Sequence, residues 1–240
     1  MIETLTALVF AHVLADFALQ TDWIAENKKR AAVLALHTGI VFITLVVVTG
    51  STALIPLIIL SAAHLIIDAV KGVLTKAASL RAFLIDQAAH LLSVIAIAIF
   101  FPMLWSGGLW AGYDWLLPIM ATLTGLILTT MAGGYAVGML MAPLAAPTLP
   151  DGLKRGGTVI GLLERGLVFL LVFFGHAGAI GFLIAAKSVL RFNATSNEQS
   201  ASEYVIIGTL ASFGWALAVS FATLIWLTHL PDLGINGRAP

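Results

Sequence analysis

Residues Ala53–Thr75 read ALIPLIILSAAHLIIDAVKGVLT. The run is long enough to cross a bilayer, which takes about 20 mainly apolar residues, yet it holds His64 and Asp68 four apart and Lys71 near its end. Residues four apart share a helix face. An imidazole and a carboxylate on one stripe of an apolar helix mark both the fold class and the place to look for function, because ionisable groups inside a membrane are costly and are usually functional.

The rest of the chain agrees. Its 240 residues are 60% hydrophobic and only 10% charged, with mean hydropathy +1.03, which excludes an ordinary soluble domain. Further apolar runs cover 3–20, 31–49, 82–104, 116–141, 157–174, 177–192 and 204–228. The expected fold is therefore all-α, a polytopic transmembrane helix bundle of about eight spans. The run 157–192 is too long for one ordinary span, and Gly175-His176-Ala177-Gly178 offers a turn inside it, so a hairpin of two short helices is favoured over one kinked helix. The amino end, Met-Ile-Glu-Thr, has no basic region or small-residue cleavage site and reads as the start of a membrane helix, not a removable signal.

Lys and Arg collect in cytoplasmic loops. With this span count, Lys28, Lys29, Arg30, Lys71, Lys76, Arg81, Lys154, Arg155, Lys187 and Arg191 all fall on one side, so both termini are expected outside the cytoplasm. Trp105, Trp110, Tyr113, Trp115 and Trp226 fall at the opposite boundary, as an interfacial aromatic belt. The Pro-rich stretch Pro143 to Pro150 reads as a loop joining two halves, Ser200 with Glu203 suggests a helix cap, and Pro231 to Pro240 forms a tail. Residues 1–104 are read as a four-helix His/Asp half and 105–240 as the second half of the same membrane domain. Nothing points to a nucleic-acid partner.

Four histidines reach matching depths. His12, His37, His64 and His90 each lie seven to nine residues from the cytoplasmic end of their helix, or about 10 to 14 Å inside it. Asp16, Asp68 and Asp86 lie one turn nearer the cytoplasm. On the two descending helices the order is His12/Asp16 and His64/Asp68, and on the ascending one it reverses to Asp86/His90, so His is deeper in every case. Ala11-His12-x3-Asp16 also resembles Ala63-His64-x3-Asp68, a faint hairpin repeat in which Val33 stands where Asp86 would suggest a carboxylate.

With no cysteine in the chain, any metal must be held by nitrogen and oxygen. Seven such ligands, His12, Asp16, His37, His64, Asp68, Asp86 and His90, suit two divalent ions better than one, zinc first, with iron or manganese as alternatives. Mutual pairing of buried polar residues is the competing reading. Ala11-His12-x3-Asp16-Phe17-x-Leu19-Gln20-Thr21-Asp22-Trp23 with Lys28, His64-x3-Asp68-x2-Lys71 and Asp86-Gln87-x2-His90 resemble the bacterial membrane-protein family of domain of unknown function 3307. The resemblance covers the first hundred or so residues; it implies a bacterial inner-membrane location and grouped His/Asp residues, and no reaction.

Glu164 is a further intramembrane carboxylate, read as a catalytic acid/base or as the partner of Arg165 or Lys187. Lys28, Lys29 and Lys71 border the cytoplasmic mouth as candidate substrate-binding cations, with topology as the simpler reading. Gln20 and Asn27 are candidate hydrogen-bond donors there, and Gly133, Gly134, Gly138, Gly157 and Gly161 suggest close helix contacts. The expected function is a metal-dependent hydrolase acting on an amphiphilic anionic substrate, a membrane lipid or isoprenoid phosphate. A divalent metal or proton transporter ranks second, because transport sites lie nearer the midplane. A di-iron oxidoreductase ranks third.

Overall fold

In the computed structural model the described residues are 1–75, 77–145, 155–195 and 199–231, with 188–195 and 199–201 described by backbone alone. Lys76, Lys154, Arg238, most of the 143–150 stretch and the tail beyond 231 lie outside the described residues, as do the side chains of Arg191 and Ser200. The described chain is helical throughout.

Six helices among the described residues are long and apolar enough to cross a membrane, the mark of a multi-pass membrane protein: Ala31–Thr49, Leu54–Leu74, Leu80–Phe100, Leu116–Leu144, Gly156–Phe173 and Ser202–Leu227. The other two expected spans are shorter helices. The first is α1 (Ile2–Val13) continued by a π-helical turn over Leu14–Ala18; the other is α9, described below.

The chain separates into two compact units. The first runs to Ile127 and resumes at Ile225. After α1 it contains the short α2 (Asp22–Asn27), then α3 (Ala31–Thr49), α4 (Leu54–Leu74), α5 (Leu80–Phe100) and α6 (Leu116–Ile127). Thr21 caps α2 by accepting from the Ile24 N–H, Ser79 caps α5 by accepting from the Ala82 N–H, and Gly50, at φ 59°, closes α3 in the left-handed region. Helix α1 packs on α3, α5 and α6, while α4 packs on both α3 and α5.

The helices are apolar on the outside and polar on part of the inside. In α4 the buried stripe is Leu57, Leu60, Ser61, His64 and Asp68, whereas Ile55, Ile66 and Val73 are 71%, 61% and 84% exposed. An exposed face of Ile and Val is stable only against lipid. The same spacing puts Val33, His37 and Val41 on the inner face of α3, and Phe83, Asp86, His90 and Val94 on that of α5. The ligand candidates thus share their stripe with the core.

At the opposite end from Lys28 and Lys71, the chain after α5 folds back on the end of α3. Leu109 donates its N–H to the Gly50 carbonyl and Trp110 its indole N–H to the Val47 carbonyl. A methyl group on Gly108 would collide with the Thr49 carbonyl, which is why the approach takes glycine. Trp105 departs from its expected place in the aromatic belt: it is 1% exposed and packs in the core of this unit, because its backbone N–H is held by the Thr4 hydroxyl. Tyr113 and Trp115 are half exposed, in keeping with the belt. Trp226 donates to the Thr6 hydroxyl.

The second unit, Leu128–Leu224, holds a second π-helical turn at Leu128–Ala132, then α7 (Gly133–Met141), α8 (Gly156–Phe173), α9 (Ile180–Thr195) and most of α10 (Gln199–Leu227). The run 157–192 is two helices, as its central glycines suggest: Gly175 sits at φ 77° in the turn after α8. Val168, Val172, Ile180, Phe213 and Ala216 form this unit's core.

Candidate metal centre

All four histidines and all three aspartates of the expected layers meet inside the first unit. His12, His37, His64 and His90 are 6%, 0%, 3% and 1% exposed; Asp16, Asp68 and Asp86 are 7%, 6% and 5% exposed. The rings form a continuous group, with His64 and His90 stacked at 4.1 Å between centroids and His12 and His37 flanking them. Each pair spaced four apart makes contact: His12 Nδ1 is 3.9 Å from Asp16 Oδ2, His64 Nε2 3.4 Å from Asp68 Oδ2, and His90 Nε2 3.6 Å from Asp86 Oδ1.

The sharpest geometry is at four atoms from two helices and the first π-turn. His37 Nε2 and His64 Nε2 lie 3.1 Å apart. Asp16 Oδ1 is 3.2 Å from the former and 3.4 Å from the latter, and Asp68 Oδ2 is 3.6 and 3.4 Å from them. A tetrahedral zinc ion with bonds of about 2.0–2.1 Å sets its ligand atoms about 3.3 Å apart. The three distances among Asp16, His37 and His64 fall around that value, and Asp68 Oδ2 adjoins the two imidazoles.

The π-turn matters here. Its wider winding, marked by the Leu19 N–H bonding to the Leu14 carbonyl five residues back, carries Asp16 toward α3 and α4. For this reason His12/Asp16 is not a structural copy of His64/Asp68, which sits on regular α-helix.

A second group adjoins the first. Asp68 Oδ1 and Asp86 Oδ1 lie 3.7 and 3.6 Å from His90 Nε2. Asp68 therefore offers one oxygen to each group. Three sets of donor atoms lie within 4.8 Å of one another: Asp16/His37/His64, Asp68/Asp86/His90 and His12/His64/His90. Asp16 Oδ1, Asp86 Oδ1 and His90 Nε2 are buried with no hydrogen-bond partner, although they point at other donors. Mutual pairing leaves these atoms unsatisfied, and a cation among them would satisfy them.

Residues 4–110 match the family model described as Protein of unknown function (DUF3307). The matched DUF3307 segment runs from α1 to the chain just beyond α5, so it contains every residue of the cluster. The motif resemblance is thereby shown for this region; the family description assigns no reaction. No curated protein and no solved structure matches the chain.

Within the DUF3307 segment two lysines reach the carboxylates of the cluster. Lys28 Nζ donates to Asp68 Oδ2 at 2.8 Å and Lys71 Nζ to Asp86 Oδ2 at 2.7 Å. Lys29 is exposed on the turn beside Lys28. Asn27 turns back to donate to the Trp23 carbonyl.

Gln87 is the residue that charge and periodicity did not single out. Its Oε1 lies 3.3 Å from His12 Nε2 while its Nε2 donates to Asp86 Oδ2 at 3.2 Å. It ties α1 to α5 across the cluster and orients His12. Residues that orient ligands in this way typically change metal affinity about 10- to 100-fold when lost. Gln87→Ala is expected to weaken zinc binding by that factor, measured by chelator competition; affinity equal to the parent's would leave Gln87 outside the centre.

Glu164 lies in the second unit, where its Oε2 accepts from Lys187 Nζ at 2.7 Å, the second of the two partners considered from sequence. Arg165 is buried beside it and takes no carboxylate among the described residues. Its Nε and Nη2 donate to the Thr130 carbonyl within the second π-turn, at 3.1 and 2.8 Å, and Nη1 donates to the Ser212 hydroxyl. A Cβ on Gly133, Gly134 or Gly161 would meet the Arg165 side chain at 2.9–3.0 Å. Gly134 and Gly161 seat the guanidinium, Gly133 makes room for the Trp215 indole and the Arg165 Cδ, and Gly138 and Gly157 face open space.

Proposed function

We propose that the chain is an intramembrane metal-dependent hydrolase with a binuclear centre, zinc first and iron or manganese as alternatives. The observation that carries this reading is the position of Asp68, whose Oδ2 faces His37 and His64 beside Asp16 and whose Oδ1 faces His90 beside Asp86. Structural zinc sites are closed, and catalytic ones keep a position for water or substrate. Asp16, His37 and His64, with Asp68 beside the two imidazoles, would supply the fuller set. The set Asp68, Asp86 and His90 leaves a fourth position, with His12 beside it.

Asp16, His37, His64, Asp68, Asp86 and His90 would hold the ions, which when bound would lower the pKa of a water and so supply a nucleophile at neutral pH. The substrate is a lipid-borne ester entering from the bilayer, with the lysine end of the bundle facing the cytoplasm, both termini outside it, and eight spans in a bacterial inner membrane. The space beyond the histidines supports hydrolysis over transport. It is a small cavity lined by Val41, Leu45, Leu60 and Val94, with Ser93 its one added hydroxyl, and that hydroxyl is turned to the His90 carbonyl. Among the described residues beyond it the polar side chains are scattered Ser and Thr, such as Thr44 and Ser61, whose hydroxyls donate to carbonyls of their own helices.

The test is release of phosphate from lipid and isoprenoid phosphates in detergent by zinc-loaded protein. Chelation should abolish it, and zinc flux into liposomes without any turnover would replace this reading by transport.

A further inference from the structure

The charges around the centre do not balance once metal is bound, and the imbalance has a sign. Asp16, Asp68 and Asp86 are the only carboxylates of the cluster, and the Lys28 and Lys71 ammonium groups touch two of them. Two divalent ions exceed the three carboxylates by one positive charge, and the lysines raise the surplus to three. A single ion still leaves a surplus of one. A buried site with net charge of one sign is costly unless a counter-ion joins it.

The geometry says where that counter-ion enters. Both lysines bind the Oδ2 atoms, whereas Asp68 Oδ1 and Asp86 Oδ1 face His90. A carboxylate oxygen has two lone pairs, so each lysine can remain on its aspartate while a metal takes the other side. The lysine side chains are 21% and 38% exposed while the carboxylates beneath them are 2% and 3% exposed. The ammonium groups thus form the rim between the surroundings and the open, three-donor set.

Resting on the binuclear reading above, we infer that the metal-loaded centre is a receptor for a phosphate dianion, which bridges the open metal position and the Lys28 and Lys71 ammonium groups. A phosphate monoester has enough acceptor oxygens to take a metal and two N–H donors at once. A carboxylic ester or amide is neutral and would leave the surplus in place. The bound phosphate can be a free anion or the head of a lipid, and the centre's chemistry is the same for both.

Calorimetric titration of zinc-loaded full-length protein in detergent separates the outcomes. Inorganic phosphate is one probe; phosphatidic acid is the second, with phosphatidylcholine of the same chains as its control. Phosphate should bind the zinc-loaded protein and not the chelated one. Tighter binding of phosphatidic acid than of inorganic phosphate would assign the site to a lipid head, and the reverse order to the free anion.

Lys28→Gln and Lys71→Gln should each weaken phosphate about ten- to a hundredfold, while metal analysis shows the parent's zinc content. Zinc bound with phosphate ignored, or a double variant that binds phosphate as the parent does, overturns this inference alone. A parent that holds no zinc overturns the centre on which it rests.

Discussion

Asp68→Ala is expected to cost the purified protein one metal ion and to weaken its hold on the other, whereas Asp86→Ala should remove one and leave the other at the parent's affinity. The asymmetry follows from the two oxygens of Asp68. Oδ2 lies beside His37 and His64, and Oδ1 belongs to the set with Asp86 and His90. Without Asp68 the second set falls to two donors, while Asp16, His37 and His64 remain of the first. Asp86 contributes to the second set alone, so its loss leaves the first intact. Elemental analysis should find about two ions per chain in the parent and about one in each variant, and a competing chelator should strip the remaining ion from Asp68→Ala more readily than from Asp86→Ala. Equal affinity for the remaining ion in the two variants would contradict the shared-aspartate geometry. Asp68→Asn keeps the side-chain volume and guards against a folding defect, and it should lose metal in the same way.

The second large effect is on stability. Arg165→Ala is expected to destabilise the protein by about 2–5 kcal/mol, because it removes three donated hydrogen bonds from a buried position and leaves a gap between helices. The guanidinium fork reaches the Thr130 carbonyl through Nε and Nη2 and Ser212 through Nη1, against the surfaces of Gly133, Gly134 and Gly161. Arg165→Lys keeps the charge but not the fork, so it should recover only part of the loss. Thermal unfolding in detergent reads both. An Arg165→Ala midpoint equal to the parent's would show that the guanidinium is dispensable to the second π-turn.

The membrane class and the cluster were legible in the sequence because each rests on a period. Apolar runs set the spans, and the spacing of four put His and Asp on one face, with the order reversing between helices of opposite direction. What could not be read was which donors would pair between helices. Lys71 binds Asp86 and not Asp68, three residues before it in its own helix, and Lys28 binds Asp68 across the unit. Such choices depend on helix rotation, which a single sequence does not encode in its hydropathy. Gln87 was silent for a related reason, since a neutral amide beside Asp86 carries no charge or period to mark it. The glycines were legible in part. Gly133 makes room for the Trp215 indole of another helix, as small-residue spacing suggests, whereas Gly134 and Gly161 make room for the Arg165 guanidinium, and the two cases leave the same pattern in sequence.

Winding at Leu14–Ala18 has a consequence for how such a centre arises and is lost. A π-turn holds one residue more than regular α-helix needs over the same rise, and it gives up local hydrogen-bond quality to do so. Deleting a single neighbouring residue, such as Ala18, would therefore relax the backbone into a better helix and swing the adjoining residues by about 100°. The chain would keep every donor and still mis-aim Asp16. One codon's worth of length, with no change to any ligand, separates a closed coordination set from an open one.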